Sequence, residues 1–342
     1  MKIRYEICDY KYLDKLIKFI DENWKKNHIF VQNREMFNWQ HKGINTKYNF
    51  VISIDQNDNI LGMLGFISTS KFSKVLKKNN DVWLTMWKIL ENSPYPGLGL
   101  GMVNFLKKQG YDTICAVGLS DLVKRIYKAL NYEVGQLNHY IVFNDKIDKF
   151  KFIKPPVLKK VLIKKNNYRY LEMDKKKLKS ISKKKEEEIF YRKPFKNIDY
   201  VINRYIRHPI YKYKVYGIFS EKNKLETIFV SRVIKIKSIS IARIVEFQGK
   251  SLLSADYNTI ILSYLSSNNL EYADLLFFSE EALDKKKSCF IDIKDCKDLI
   301  VPNYFEPLKM QNIDIDFAYK TKDKKNFSIF RGDSDQDRPN QI

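Results

Sequence analysis

Between Tyr95 and Met102 the chain reads Tyr-Pro-Gly-Leu-Gly-Leu-Gly-Met, with three glycines at alternate positions. Glycine admits positive φ and close approach of the backbone to another group, and the first N–H groups of a following helix have no internal partner and attract anions. The run Gly101 to Gln109 fits such a helix: Met102, Phe105 and Leu106 share a face, Lys107 and Lys108 fall in the last turn, and Gly110 is placed to end it. Upstream, Val82 to Leu90 is large, apolar and aromatic, as a buried strand would be, and Pro94 and Pro96 stop further ladder pairing. The unit is strand, glycine loop, helix. Two readings fit it: a tight turn with no ligand, and an anion cradle.

The 342-residue length predicts two domains, each with its own core, and a hydrophobic fraction of 44% with 14% aromatics marks both as globular. No run of about eighteen apolar residues and no charged-then-apolar leader at Met1 is present, so neither a membrane span nor a signal peptide is expected. Cys8, Cys115, Cys289 and Cys296 lack metal-ligand spacing, so no metal is expected and the thiols fit a reducing cytoplasm. The net charge of +22 would suit a nucleic-acid binder. It comes, however, from 51 Lys against 11 Arg spread over the whole length, and the runs Lys175 to Lys177, Lys183 to Lys185 and Lys285 to Lys287 lie beside acids, as solvated helix faces do. A small anionic substrate suits that surface better than nucleic acid.

In chain order, a helix is expected at Lys11 to Trp24, then an aromatic and imidazole cluster (His28, Phe30, Phe37, Trp39, Gln40, His41) that suits either a hydrophobic cap or an acceptor pocket. Strands at Asn49 to Ile54 and Ile60 to Ser68 form a hairpin through Asp55 to Asn59. After the glycine unit come a strand at Thr113 to Gly118, a helix at Asp121 to Leu130 with Leu122, Ile126 and Leu130 on one face and Tyr127 beside it, and a closing strand at His139 to Asn144.

This order resembles the GCN5-related N-acetyltransferase (GNAT) superfamily over roughly Met1 to Asn144. The family pattern of Arg or Gln, two residues, Gly, one residue, Gly or Ala is matched by Pro96-Gly97-Leu98-Gly99-Leu100-Gly101, with Pro96 in the basic or amide position. The later pattern of Asn, six residues, Tyr, three residues, Gly-Phe is matched by Ser120, Tyr127, Asn131 and Tyr132, with only the tyrosine identical. The resemblance implies an α/β fold (α+β by strand pairing) and binding of acetyl-CoA or another acyl-CoA at Ile89, Leu90, Gly97, Leu98, Gly99, Leu100, Gly101, Met102 and Ser120. It implies oxyanion stabilisation by N–H groups near Ile89 and Leu90 and a general acid at Tyr127. The strand offers no carboxylate for a base before Glu91, so Glu91, His28 and an ordered water are the candidates.

Asp148 to Lys165, with Pro155-Pro156, is expected to link a first domain (1–147) to a second (166–342). The second half repeats the first: a helix at Lys196 to Arg207, strands at Tyr213 to Phe219, Thr227 to Val233 and Ile241 to Gln248, a helix at Ala255 to Ser266, a strand at Tyr272 to Phe278, a short helix after Ser279, and strands near Tyr304 and at Ile315 to Tyr319. It resembles a second GNAT-like mixed-sheet domain, but where the glycine loop should be it has only Gln248-Gly249-Lys250. It is expected to be a degenerate partner that completes an acceptor cleft, with Arg207, His208 and Tyr211 joining Trp39 as substrate-binding residues. In the tail Arg331 to Asn340 the acids alternate as in a calcium loop, but the bidentate Glu that should follow is absent, so a tail pinned by ion pairs is expected. The expected function is CoA-dependent N-acyl transfer to a small amine, such as a nucleotide-linked amino sugar for a surface polysaccharide. The alternatives are a transferase using aminoacyl-tRNA, like the tandem-GNAT cell-wall peptide enzymes, and a non-catalytic binding protein.

Overall fold

A computed structural model describes residues 3–76, 81–156, 167–282 and 287–340. The chain forms two units, one of Met1–Gly135 with Asp316–Lys322 and Asp333–Ile342, the other of Gln136–Ile315 with Asp323–Gly332.

The first unit runs β1 (Arg4–Asp9), α1 (Leu13–Phe19), α2 (Ile29–Gln32), α3 (Arg34–His41), β2 (Lys47–Ile54), β3 (Ile60–Ser68), β4 (Asp81–Ile89), α4 (Leu98–Lys107), β5 (Thr113–Val117), α5 (Asp121–Ala129) and β6 (Glu133–Gln136). A wider π turn over Ile20–Trp24 continues α1, so the first helix reaches Trp24 as its spacing predicts. Apolar side chains at nearly every position of β3 and of Asp81–Leu84 bury both faces of the sheet. Val82, Leu84, Met102, Val103, Leu106 and Tyr127 form one core, under α4 and α5. On α5 the buried side chain is Tyr127, whereas Leu122, expected on the apolar face, is 66% exposed.

The second unit runs β7 (Asn138–Phe143), β8 (Arg169–Glu172), α6 (Lys175–Lys179), α7 (Lys183–Ile189), α8 (Ile198–Val201), β9 (Tyr213–Phe219), β10 (Leu225–Ile236), β11 (Ile239–Gly249), α9 (Asn258–Ser267), β12 (Tyr272–Ser279) and β13 (Ile291–Asp292). The chain then gives β14 (Asp316–Thr321) to the first sheet and β15 (Ser328–Phe330) to the second. The strand orders are β1-β2-β3-β4-β5-β14-β6 and β13-β7-β12-β11-β10-β9-β8, with β15 on β12.

Both sheets follow one plan: an antiparallel meander ending in a parallel pair, β4 with β5 and β11 with β12. An antiparallel strand then flanks that pair, β14 beside β5 and β7 beside β12. The strand expected to close the first half, His139 to Asn144, therefore lies in the second sheet, and the one expected at Ile315 to Tyr319 lies in the first. The change of unit falls at Gly135/Gln136, not within 148–165. Lys151 and Phe152 donate backbone N–H groups to the Glu271 carboxylate (2.8 and 3.1 Å) and Ile153 is buried, so this part of the expected linker is packed structure; residues 157–165 lie outside the described residues.

No strand forms near Tyr304. Instead Arg243 donates to the carbonyls of Pro302 (3.0 Å) and Tyr304 (3.2 Å), and Arg331 to those of Asn303 and Tyr304. Arg243 also forks onto Asp274, both fully buried, at 3.1–3.3 Å. No helix follows Ser279 as far as residue 282. The Lys285 to Lys287 run is described only at Lys287, and the leader position Met1 is outside the described residues.

Candidate active site

The site is built where β4 and β5 part. They pair in parallel from Asp81/Thr113 to Leu84/Ala116, after which β4 runs on to Ile89 while β5 ends at Val117. A bulge accompanies the divergence: Leu64 faces Trp87 and Phe66 faces Leu84, so Thr85 and Met86 share the place opposite Gly65. The extra residue turns Trp87 and Ile89 toward the core under α4 and α5. Leu90 donates its N–H to Leu61 of β3 (2.9 Å), so it is not free for an oxyanion, contrary to expectation. Strand alternation then points the Ile89 N–H the other way, into the wedge.

Below the wedge lies α4, which begins earlier than the sequence predicts. Leu98 to Gly101 are already its first turn, and only Gly97 is left-handed, at φ 78° as the N-cap. The Gly101 N–H is the first one paired, to Gly97 (2.9 Å), so helix geometry leaves the N–H groups of Leu98, Gly99 and Leu100 facing outward. The glycines therefore divide the work. Gly97 makes the turn, and a Cβ there would meet nothing within 4 Å. At Gly99 a Cβ would fall 2.9 Å from both Ile89 Cδ1 and Trp87 Cζ2, so this glycine brings the helix end against the strand. Met102, by contrast, is fully buried core.

Trp87 links the helix end to Tyr127, with ring centroids 5.8 Å apart, and Tyr132 packs on Tyr127 at 4.9 Å. Burial, followed by the neighbouring Tyr132 and Cys115, pushes the Tyr127 phenol far above its ordinary range. It stays protonated, as an acid must before it acts. Ser120 caps α5, its Oγ accepting from Val123 N–H at 3.4 Å, and so serves the helix that carries Tyr127.

The two proposed bases fare poorly. Glu91 is exposed and hydrogen-bonded to Lys88 Nζ at 2.8 Å, which holds its carboxyl below the usual range. His28 is fully buried, its Nδ1 accepting from Phe30 N–H (3.2 Å) as the cap of α2. Burial first, then the Arg338 charge, pushes it down to about 2, so it stays neutral and caps a helix. Phe30 packs edge-on to its ring, and Phe37, His41 and Phe50 stack with Phe30 and with one another as core. That arrangement fits the cap reading of the cluster, and half-buried Trp39 packs on Phe72 at 5.1 Å.

Of the remaining predicted residues, Arg207, His208 and Tyr211 belong to the second unit, Trp39 to the first. Arg207 is exposed and bonded to Asn203 (2.9 Å), while His208 Nδ1 accepts from the N–H groups of Ile210 (3.1 Å) and Tyr211 (2.9 Å). The Tyr211 ring stacks on His208 and lies 4.0 Å beneath the Arg232 guanidinium. These contacts are those of an ordered turn. The C-terminal segment was legible only as a pinned tail. Ser334 Oγ donates to the Leu84 carbonyl on β4 (3.2 Å) and Gln336 Nε2 to the Val117 carbonyl on β5 (2.9 Å), so the tail spans the wedge. Among the described residues no group of His, Cys, Asp and Glu could hold a metal, and no helix is long and apolar enough to cross a membrane.

No protein-family model and no curated protein sequence matches the chain. Solved structures do. A GCN5-related N-acetyltransferase from Anabaena variabilis ATCC 29413 superposes with a TM-score of 0.56 at 11% identity, over 93% of this chain and 72% of that one. The fold is the GNAT fold. A conserved Enterococcus faecalis V583 protein described as a probable N-acyltransferase superposes with a TM-score of 0.54 at 9% identity, over 92% of this chain and 72% of that one. Coverage of this extent takes in both GNAT-like units, and the parting of β4 from β5 before a glycine-capped helix sits in the first.

Proposed function

We propose that the protein is a CoA-dependent N-acyltransferase with its active site in the first unit. The observation that carries this reading is β4 running on, bulged, past the end of β5, with the Ile89 N–H turned away from β3 and the N-terminus of α4 packed against Trp87 and Ile89. The two solved structures on which the chain superposes, an N-acetyltransferase and a probable N-acyltransferase, agree with it.

The residues fit an acyl-CoA. The N–H groups of Leu98, Gly99 and Leu100, with the positive end of the helix dipole, would hold a pyrophosphate, and the open space at Gly97 leaves it room. The bound thioester would supply the acyl group. The Ile89 N–H is oriented to hydrogen-bond charge developing on a carbonyl oxygen in the wedge. Tyr127, kept protonated by burial, would return a proton to the leaving sulfur. Among the described residues the second unit has no glycine-capped helix after β11: Gly249 there sits at φ 92°, and a Cβ on it would fall 2.2 Å from the Glu226 carbonyl oxygen. One active site per chain follows. For the acceptor, the +22 net charge favours an anionic amine such as a nucleotide-linked amino sugar, as surface-polysaccharide synthesis would use, and cysteines outside any disulfide fit a cytoplasmic enzyme. Acetyl-CoA titrated calorimetrically into the parent protein tests the reading; absence of binding overturns it.

A further inference from the structure

The chemistry proposed above lacks a group to receive the acceptor's proton, since β4 carries no carboxylate in the wedge, Glu91 faces solvent and His28 caps a helix. The tail brings one there. Beside Ser334 and Gln336, whose side chains rest on the carbonyls of Leu84 and Val117, lies Asp335, 6% exposed. Its Oδ1 is 3.4 Å from both Ser334 Oγ and Gln336 Nε2. Those are the two atoms that touch the strands, so Oδ1 is held beside the last paired residues of β4 and β5. Its Oδ2 is the atom bound by Arg338 Nε, at 3.3 Å. The one Ser334 hydroxyl hydrogen goes to Leu84, and the Gln336 amide bond to Oδ1 is long and neutral, so a charged donor in the wedge would outcompete it.

One further observation points to a ligand near this place, and a second shows that the fold keeps room for the tail. His28 is fully buried, and with Nδ1 accepting from Phe30 its Nε2 must carry the proton; that donor is without a partner among the described residues. It lies on the tail's side, since the Arg338 guanidinium stacks 5.7 Å from the Phe30 ring beside it. Finally, the first unit keeps a glycine for the tail: Gly118, at φ 80°, would place any Cβ 2.5–2.8 Å from the Gln336 amide.

We propose that Asp335 is the acceptor-binding carboxylate of the active site: it holds the ammonium of a primary amine in the β4–β5 wedge and takes its proton. The inference rests on the acyltransferase reading. Asp335 accepts one proton from the ammonium, the freed lone pair forms the C–N bond to the thioester carbonyl carbon, and the C–S bond breaks. The sulfur leaves as thiol with the Tyr127 proton, and the amine's second proton, lost on amide formation, passes to solvent and restores neutrality with the reprotonation of Tyr127. Asp335 releases its proton to water. The substrate class is therefore a primary amine that is cationic at the reacting nitrogen, whatever charge it carries elsewhere.

The test compares the parent with Asp335→Asn, which keeps shape and removes the charge, and Arg338→Gln, which removes the ion pair but leaves the carboxylate. The probes are acetyl-CoA and n-butylamine. Three readouts are taken: acetyl-CoA affinity by calorimetry, the rise in melting temperature with n-butylammonium chloride over equal sodium chloride, and the pH profile of kcat/KM for the amine. For Asp335→Asn the expected result is unchanged acetyl-CoA affinity, loss of the butylammonium increment, kcat/KM lower by about 100-fold or more, and a kcat/KM that keeps rising with pH in proportion to the free amine, where the parent levels off. Arg338→Gln keeps the increment and the levelling off. Equal losses in both variants would make Asp335 a tail pin and overturn the proposal, as would a parent that binds acetyl-CoA but shows neither a butylammonium increment nor turnover. A parent that fails to bind acetyl-CoA overturns the acyltransferase reading itself.

Discussion

Leu100→Glu separates the two things the N-terminus of α4 could be. Leu100 is the third residue of the helix and 41% exposed, so a glutamate there meets no packing conflict. A carboxylate in the first turn complements the helix dipole and stabilises by about 0.3–1 kcal/mol. If the same N–H groups hold a pyrophosphate, that carboxylate stands about 5 Å from a phosphate charge, and at an effective dielectric near 20 the repulsion is about 3 kcal/mol. That corresponds to a loss of a few hundred-fold in acyl-CoA affinity. Calorimetry and thermal melting on one preparation read both quantities. The expected pair is a melting temperature held or slightly raised together with near-complete loss of acetyl-CoA binding. A variant that melts as predicted and still binds acetyl-CoA within twofold of the parent would refute the pyrophosphate assignment.

Three other substitutions have defined outcomes. Gly99→Ala should destabilise by about 1–2 kcal/mol, because its Cβ falls 2.9 Å from Trp87 and Ile89 and the helix end must shift; denaturant unfolding reads this, and an unchanged midpoint would contradict it. Tyr127→Phe should keep acetyl-CoA affinity and lose turnover, so unchanged turnover would remove the phenol from the chemistry. Arg243→Ala should cost about 3–5 kcal/mol, since it strands a fully buried Asp274 and frees two loop carbonyls; a loss under about 1 kcal/mol would contradict it. The same pair predicts an acid sensitivity. Burial alone would raise the Asp274 carboxyl, but the Arg243 guanidinium and then His139 bring it down to about 2 from 3.8. Its folded pKa is depressed, so its contribution is present above about 3.8 and is lost as pH falls through about 2. Melts from pH 5 to pH 2 should fall more steeply for the parent than for Asp274→Asn, and parallel curves would refute this.

Where local pattern decides, the chain was legible. The aromatic run before Pro94 is β4, the hairpin at Asp55–Asn59 is a hairpin, and Gly110 ends α4 at φ 82°. Two kinds of feature were not. Strand exchange was one: His139–Asn144 and Ile315–Tyr319 read correctly as strands, but which sheet a strand joins depends on pairing across well over a hundred residues, and hydrophobic alternation holds no record of it. The helix start was the other, because Gly99 and Gly101 look like loop residues by propensity and are held in the helix by packing, with Trp87 and Ile89 leaving no room for a side chain at Gly99. The candidate base was missed for the first of these reasons. It is sought on β4 by position, whereas Asp335 reaches the wedge from the far end of the chain, through hydrogen bonds to Leu84 and Val117. The alternating acids of Arg331–Asn340 were the one signal of it.

On the acyltransferase reading, the end of the β4–β5 pair and the N-terminus of α4 together bind acyl-CoA. Calorimetric titration of acetyl-CoA into the parent protein, with Leu100→Glu in parallel, tests it directly. Saturable binding at one site per chain, abolished by Leu100→Glu, is the predicted result; a parent that takes up no acetyl-CoA, or a second equivalent site, would contradict the account.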